Sequence, residues 1–107
     1  MSRTKDIYYL VLLPSECAGG CVPDEDPWRP PAGSKIRILN KSKFKQDLTN
    51  FTKDCIETKK GNPKKSLTLD HNECWEGKAG KKGVNGEYQF DDKCPGPLGV
   101  RSGQIDP

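Results

Sequence analysis

The chain has 107 residues, 32% hydrophobic and 31% charged, with a net charge of +3. That length admits one domain, and no apolar run reaches the ~18–20 residues a helix needs to span a bilayer. So few apolar residues cannot by burial alone offset an ordering cost of roughly 1–2 kcal/mol per residue, so covalent staples are expected.

Residues 1–6 are expected to be a flexible N-terminus. The run Ile7-Tyr8-Tyr9-Leu10-Val11-Leu12-Leu13, closed by Pro14, is aromatic and β-branched and predicts a strand buried on both faces. As a secretion leader, residues 1–20 are poor. Asp6 breaks the basic start and Ser15-Glu16 follow the apolar core, so the mature chain is expected to begin near Arg3. Residues 22–34 carry four prolines and one glycine and predict a loop. Within it, Asp24, Glu25 and Asp26 precede Trp28 and Arg29. An aromatic residue on a stiff loop loses little entropy on binding, so Trp28 is either a contact residue or a lid folded over the core.

Lys35-Ile36-Arg37-Ile38 alternates and predicts a half-buried strand. Phe44, Leu48, Phe51 and Cys55 fall at i, i+4, i+7 and i+11, the spacing of one helix face, with Asn40 or Ser42 as cap. This helix is expected to pack across the first strand. Thr58–Lys65 is a wet turn broken by Gly61-Asn62-Pro63, and Ser66–Leu69 is a short strand. Residues 78–82 are rich in Gly and Lys and are expected to be mobile. Val84–Phe90 predicts half a hairpin turning at Asn85-Gly86, and residues 95–107 an irregular tail.

Five cysteines in so short a chain predict an extracellular, disulfide-stapled domain with one thiol left over. Eighteen residues with a turn midway separate Cys55 from Cys74, which suits a bridge closing a loop, worth roughly 3 kcal/mol. Cys17 and Cys21 are too close to pair usefully with each other, so one of them is expected to meet Cys94. Zinc is disfavoured, since Cys17-x3-Cys21 lacks a second pair and there is a single histidine; no metal and no cofactor are expected. The sequons Asn40-Lys41-Ser42 and Asn50-Phe51-Thr52 agree with a secretory route and mark Asn40 and Asn50 for glycosylation.

Two chemistries need weighing. His71, the sole histidine, together with Glu87 and Arg101, resembles the His/Glu/Arg set of small secreted fungal ribonucleases. Tyr88-Gln89-Phe90 followed by Pro95-Gly96-Pro97 is similar to their later strand and turn. No second histidine supplies the other acid or base such a transfer normally uses, so a solvated His71 is favoured. Residues 41–65 hold eight lysines against three acids. The exposed Lys59–Lys65 turn has no interleaved aromatics and arginine is scarce, so this reads as a solvated face rather than one that holds nucleic acid, heparan chains or an acidic protein.

Several features resemble the cysteine-rich proteins of tick saliva, the class A evasins and the basic-tail group. An apolar strand runs into Cys17-x3-Cys21, and Pro31-Ala32-Gly33-Ser34 precedes a strand. Asn50-Phe51-Thr52-Lys53-Asp54-Cys55 carries a sequon into a cysteine, and Cys74-Trp75 is similar to a chain-ending pair of that family. Cysteines that the pattern places before Cys17 and near Ile36, Lys60 and Lys65 are missing. The resemblance implies a secreted, non-enzymatic protein that neutralises a host chemokine, complement component or clotting factor by steric blockade. The contact residues expected from the sequence are Tyr8, Tyr9, Asp24, Glu25, Asp26, Trp28 and Arg29. The expected fold is a small α+β domain: a disulfide-stabilised antiparallel sheet, one packed helix and long loops. A monomer bound to a host extracellular protein, with no membrane contact, completes the expectation.

Overall fold

The computed structural model describes residues 7–14, 21–25, 27–52, 55–80, 86–91 and 100–105. They form nine strands and no helix: β1 (Ile7–Pro14), β2 (Cys21–Pro23), β3 (Lys35–Asn40), β4 (Gln46–Thr49), β5 (Ile56–Glu57), β6 (Leu67–Leu69), β7 (Cys74–Ala79), β8 (Gly86–Asp91) and β9 (Val100–Ile105). A five-stranded sheet runs β2-β1-β3-β7-β5 and a four-stranded sheet runs β6-β4-β8-β9, with one sheet curled into a half-barrel. Every pairing is antiparallel except β1 with β3, which run parallel from Ile7↔Lys35 to Leu12↔Asn40. Among the described residues no helix is long and apolar enough to cross a membrane.

The expected α+β class is therefore corrected to all-β, and the packed helix is absent. A compact turn over residues 40–44 is tied down by the Asn40 side chain, and Asn50 adopts φ 56°. Only a short stretch lies between those two breaks, too short for a helix but enough for a strand. It alternates, with Gln46 and Leu48 buried and Asp47 and Thr49 exposed, between partners β6 and β8. Of the four residues assigned to one helical face, Leu48, Phe51 and Cys55 are buried, each placed by a different local turn or strand, whereas Phe44 is 46% exposed.

β1 differs from expectation too. Leu10 and Leu12 are fully buried, but the alternate residues reach solvent, Tyr9 at 43% and Leu13 at 38% exposure. A sheet with one wet face buries only every second side chain. The tail is not irregular throughout, because β9 pairs with all of β8. Asn85, half of the expected turn, lies outside the described residues, and Gly86 opens β8. A Cβ there would stand 2.4 Å from the Cβ of Cys55, so the glycine lets Cys55 seat against the β8 backbone.

The core joins Leu10, Leu12, Ile36, Ile38, Leu48, Ile56, Tyr88 and Ile105 with Trp28, which the β2–β3 connection carries inward. Trp28 bridges to Ile105 in the second sheet and is 1% exposed. Trp75, opposite Ile38, lies on the inner face, and its ring covers Gly77 so closely that a Cβ would come within 2.2 Å of it.

Candidate functional site

The alternation that turns Leu10, Leu12, Ile36 and Ile38 inward turns their neighbours outward, and paired residues share a face. The outer face of the five-stranded sheet is therefore built in rows. Ile7, Lys35 and Lys78 form the first, Tyr9, Arg37 and Glu76 the second, and Val11, Leu39 and Cys74 the third. The β1 side of this face, Ile7, Tyr9, Val11 and Leu13, is apolar throughout.

The centre of the face is an ordered charged row. Arg37 Nη1 donates to the Tyr9 hydroxyl at 3.0 Å, and Arg37 Nε donates to Glu76 Oε2 at 3.1 Å. Lys59 Nζ stands 3.7 Å from Glu76 Oε1. The Tyr9 hydroxyl and then Glu76 push the Arg37 pKa up, and the Arg37 hydrogen bond holds the Glu76 carboxyl below its ordinary value. Glu76 therefore keeps its charge, and the pair its attraction, to lower pH than an unpaired glutamate would. Burial pushes the Cys74 thiol up, partly offset by Arg37, so it is protonated and a weak nucleophile at neutral pH.

β1 also offers backbone. β2 covers it only from Leu12 to Pro14. Asp24 extends that cover by one residue, its N–H donating to Val11 O at 2.9 Å and its Oδ1 accepting from Val11 N–H at 2.9 Å. Because Leu12 O accepts from Lys41 on the β3 side, Val11, Tyr9 and Ile7 direct their N–H and C=O groups the other way. Among the described residues nothing pairs with Ile7 or Tyr9 on that edge. An apolar ridge beside free backbone groups can receive an added strand from another polypeptide.

The residues singled out in the sequence are placed as follows. Tyr9 is on the outer face, whereas Tyr8 is half-buried and packs on the core. Asp24 secures the β1 edge; Glu25 and Arg29 are exposed, and Asp26 lies outside the described residues. Trp28 is not a contact residue, because its ring is core. His71 and Glu87 do not meet. His71 Nδ1 lies 2.7 Å from Ser42 O, ahead of β4, and Glu87 O accepts from Thr52 N–H, beyond the other end of β4. The registers of β6 and β8 on β4 set the two roughly 20 Å apart. Arg101 falls opposite Phe90 on β9, one strand further over. The ribonuclease-like trio is thus not assembled.

The Cys55–Cys74 bridge is also overturned. Cys55 O accepts from Gly80 N–H at one end of β7, and Cys74 starts the other end, six residues or about 20 Å away. A disulfide needs Cα atoms within about 7 Å. No disulfide joins two of the described cysteines, Cys21, Cys55 and Cys74. Cys17 and Cys94 lie outside the described residues, and with them the Cys94 pairing. Cys21 and Cys55 are buried and Cys74 is exposed. Alkylating the native protein should therefore label Cys74, faster as pH rises, and peptide mapping reads the site; a Cys55–Cys74 cross-linked peptide in a non-reducing map refutes this placement.

Asn40 is 0% exposed, and its Nδ2 donates to Phe44 O, Leu69 O and Asp70 O. Asn50 is exposed, at the rim of a pocket of about 500 Å³ lined by Phe51, Pro63, Lys64 and Lys65. Sequence reasoning missed Arg37, Glu76 and Leu13 as surface features. The alternation of Lys35–Ile38 already turned Arg37 outward, but an all-apolar β1 gave no sign of which side was wet.

No protein-family model matches the chain, and no curated protein matches it.

Proposed function

We propose that this chain is a secreted, non-enzymatic binding protein that seats a partner protein on the open edge and outer face of β1 and neutralises it by blockade. The observation that carries the reading is an apolar ridge, with Tyr9 and Leu13 exposed, running beside a strand edge that no described residue pairs at Ile7 and Tyr9. Solvated apolar side chains next to unpaired backbone are costly unless a partner covers them. The acidic contact loop expected from the sequence does not form this surface, as Asp24 is engaged with β1. The face presents Lys35, Arg37, Lys59 and Lys78 around Glu76, so it suits a partner segment bearing acidic residues. What supports an extracellular setting is the cysteine count of the sequence, five in 107 residues, although no two of the described cysteines are bridged. The resemblance to tick salivary proteins supplies the first targets to try: chemokines, complement components and clotting factors.

The immobilised chain should retain one protein from such a panel in a surface-plasmon experiment. The double variant Tyr9→Ala, Leu13→Ser should weaken that binding at least about tenfold while leaving the unfolding midpoint in place. Equal binding by the variant, or no binding by any panel member, overturns the proposal. RNA cleavage that disappears in His71→Ala would put a hydrolase in its place.

A further inference from the structure

We infer that the folded protein, when it passes through a secretory pathway, carries an N-linked glycan at Asn50 and none at Asn40. The inference rests on the extracellular reading above and asks which of the two Asn-x-Ser/Thr sequons this fold can use. In the transfer, a bond forms from the asparagine Nδ2 to C1 of an oligosaccharide. The C1–O bond to its lipid diphosphate donor breaks, and one amide proton leaves as the diphosphate departs. The modified nitrogen keeps a single hydrogen.

Asn40 has no hydrogen to give up. Its Nδ2 serves three carbonyls, Phe44 O at 2.9 Å, Leu69 O at 2.9 Å and Asp70 O at 3.2 Å. Its Oδ1 accepts from both the backbone N–H and the hydroxyl of Ser42, the sequon's own third residue, which is buried as well. A sugar on Asn40 would break this set and force a hydrated group into the space between β3 and the Leu69–Asp70 backbone. Because the transfer precedes folding, chains modified at Asn40 are lost to the folded pool rather than protected from modification.

Asn50 is the reverse case. It is exposed, its φ of 56° ends β4, and among the described residues its Nδ2 donates to one acceptor, Gln89 Oε1. The second hydrogen is available for the sugar bond, and the first can keep Gln89. Thr52, the third residue of this sequon, is half-buried rather than enclosed. Asn50 follows β4 in the four-stranded sheet, whereas the proposed partner face is on the five-stranded sheet, so the glycan leaves β1 uncovered.

The full chain behind a cleavable secretion leader, expressed in a glycosylating eukaryotic host, gives the test. A leader supplied by the experimenter delivers the chain whatever its native compartment, and partner binding is read separately on unglycosylated protein, so the two proposals fail separately. Enzymatic release of the glycan, which turns the modified Asn into Asp, should mark the Asn50 peptide and leave the Asn40 peptide unchanged. Asn50→Gln should be secreted as a folded chain without the mass shift. Secreted, folded protein bearing sugar at Asn40, or wild type with Asn50 unmodified, overturns the inference.

Discussion

Asn40→Asp should lower the stability of the protein by about 3–5 kcal/mol, enough to unfold much of a domain whose total is about 5–15 kcal/mol. Asn40 ends β3 and is fully buried, with every polar atom of its side chain bonded. Its carboxamide nitrogen gathers Phe44 O, Leu69 O and Asp70 O, and its oxygen gathers Ser42, which in turn accepts from Gln46 Nε2. Its backbone is used too, with N–H donating to Glu73 O at 2.9 Å and C=O accepting from Asn72 N–H at 2.7 Å. One residue thus ties the end of one sheet to the 40–44 turn and the β6–β7 connection. Aspartate keeps the shape but replaces the donor with an oxygen facing three carbonyls, so those carbonyls lose their partner and a charge is buried beside them. Urea unfolding of wild type and variant measures the loss. A shift in midpoint equivalent to less than about 1 kcal/mol would mean the network is dispensable.

Trp28→Ala should cost about 3–5 kcal/mol, the range for removing a large aromatic from a packed interior. Trp28 is among the largest fully buried side chains, and its bridge to Ile105 fastens the β2–β3 connection to the second sheet. Trp28→Phe should cost much less, because the indole N–H has no hydrogen-bond partner among the described residues and phenylalanine removes that orphan donor. Denaturant midpoints separate these outcomes. If Trp28 were instead an anchor for a partner, the alanine variant would keep its stability and lose binding.

The two tryptophan readings were both open in the sequence, and that ambiguity is typical of what could be read from it. The β1 run with its Pro14 stop was legible from its length and its β-branched and aromatic content, and the Lys35–Ile38 alternation and the Leu67/Leu69 pair because burial imposes period two on a strand and the residues there show it. The 40–55 segment was not legible. Phe44, Leu48, Phe51 and Cys55 fall at helical spacing, but two local breaks, the Asn40-bonded turn and the left-handed Asn50, decide the conformation. A side chain that reorganises a turn through carbonyls 29 or 30 residues away leaves no mark in a local pattern. β9 was missed for a similar reason: Val100–Ile105 has little propensity of its own and is a strand because β8 and Trp28 give it partners. At the candidate face Tyr9 was legible as apolar and aromatic. That Tyr9 rather than Tyr8 faces outward, and that Arg37 and Glu76 meet it, depended on the β1–β3–β7 register, which no local pattern fixes.

The closure between Trp28 and Ile105 has a kinetic meaning. A tryptophan in the first third of the chain seats only when residue 105 arrives, and the parallel β1–β3 pairing likewise joins segments far apart in sequence. Few contacts can reward the chain early, so assembly should be slow and cooperative, with residues 100–105 needed before the interior is sealed. During that delay the inward side chains of β1, Leu10 and Leu12, which the finished fold buries, stay in water, and this is the interval in which aggregation competes with folding.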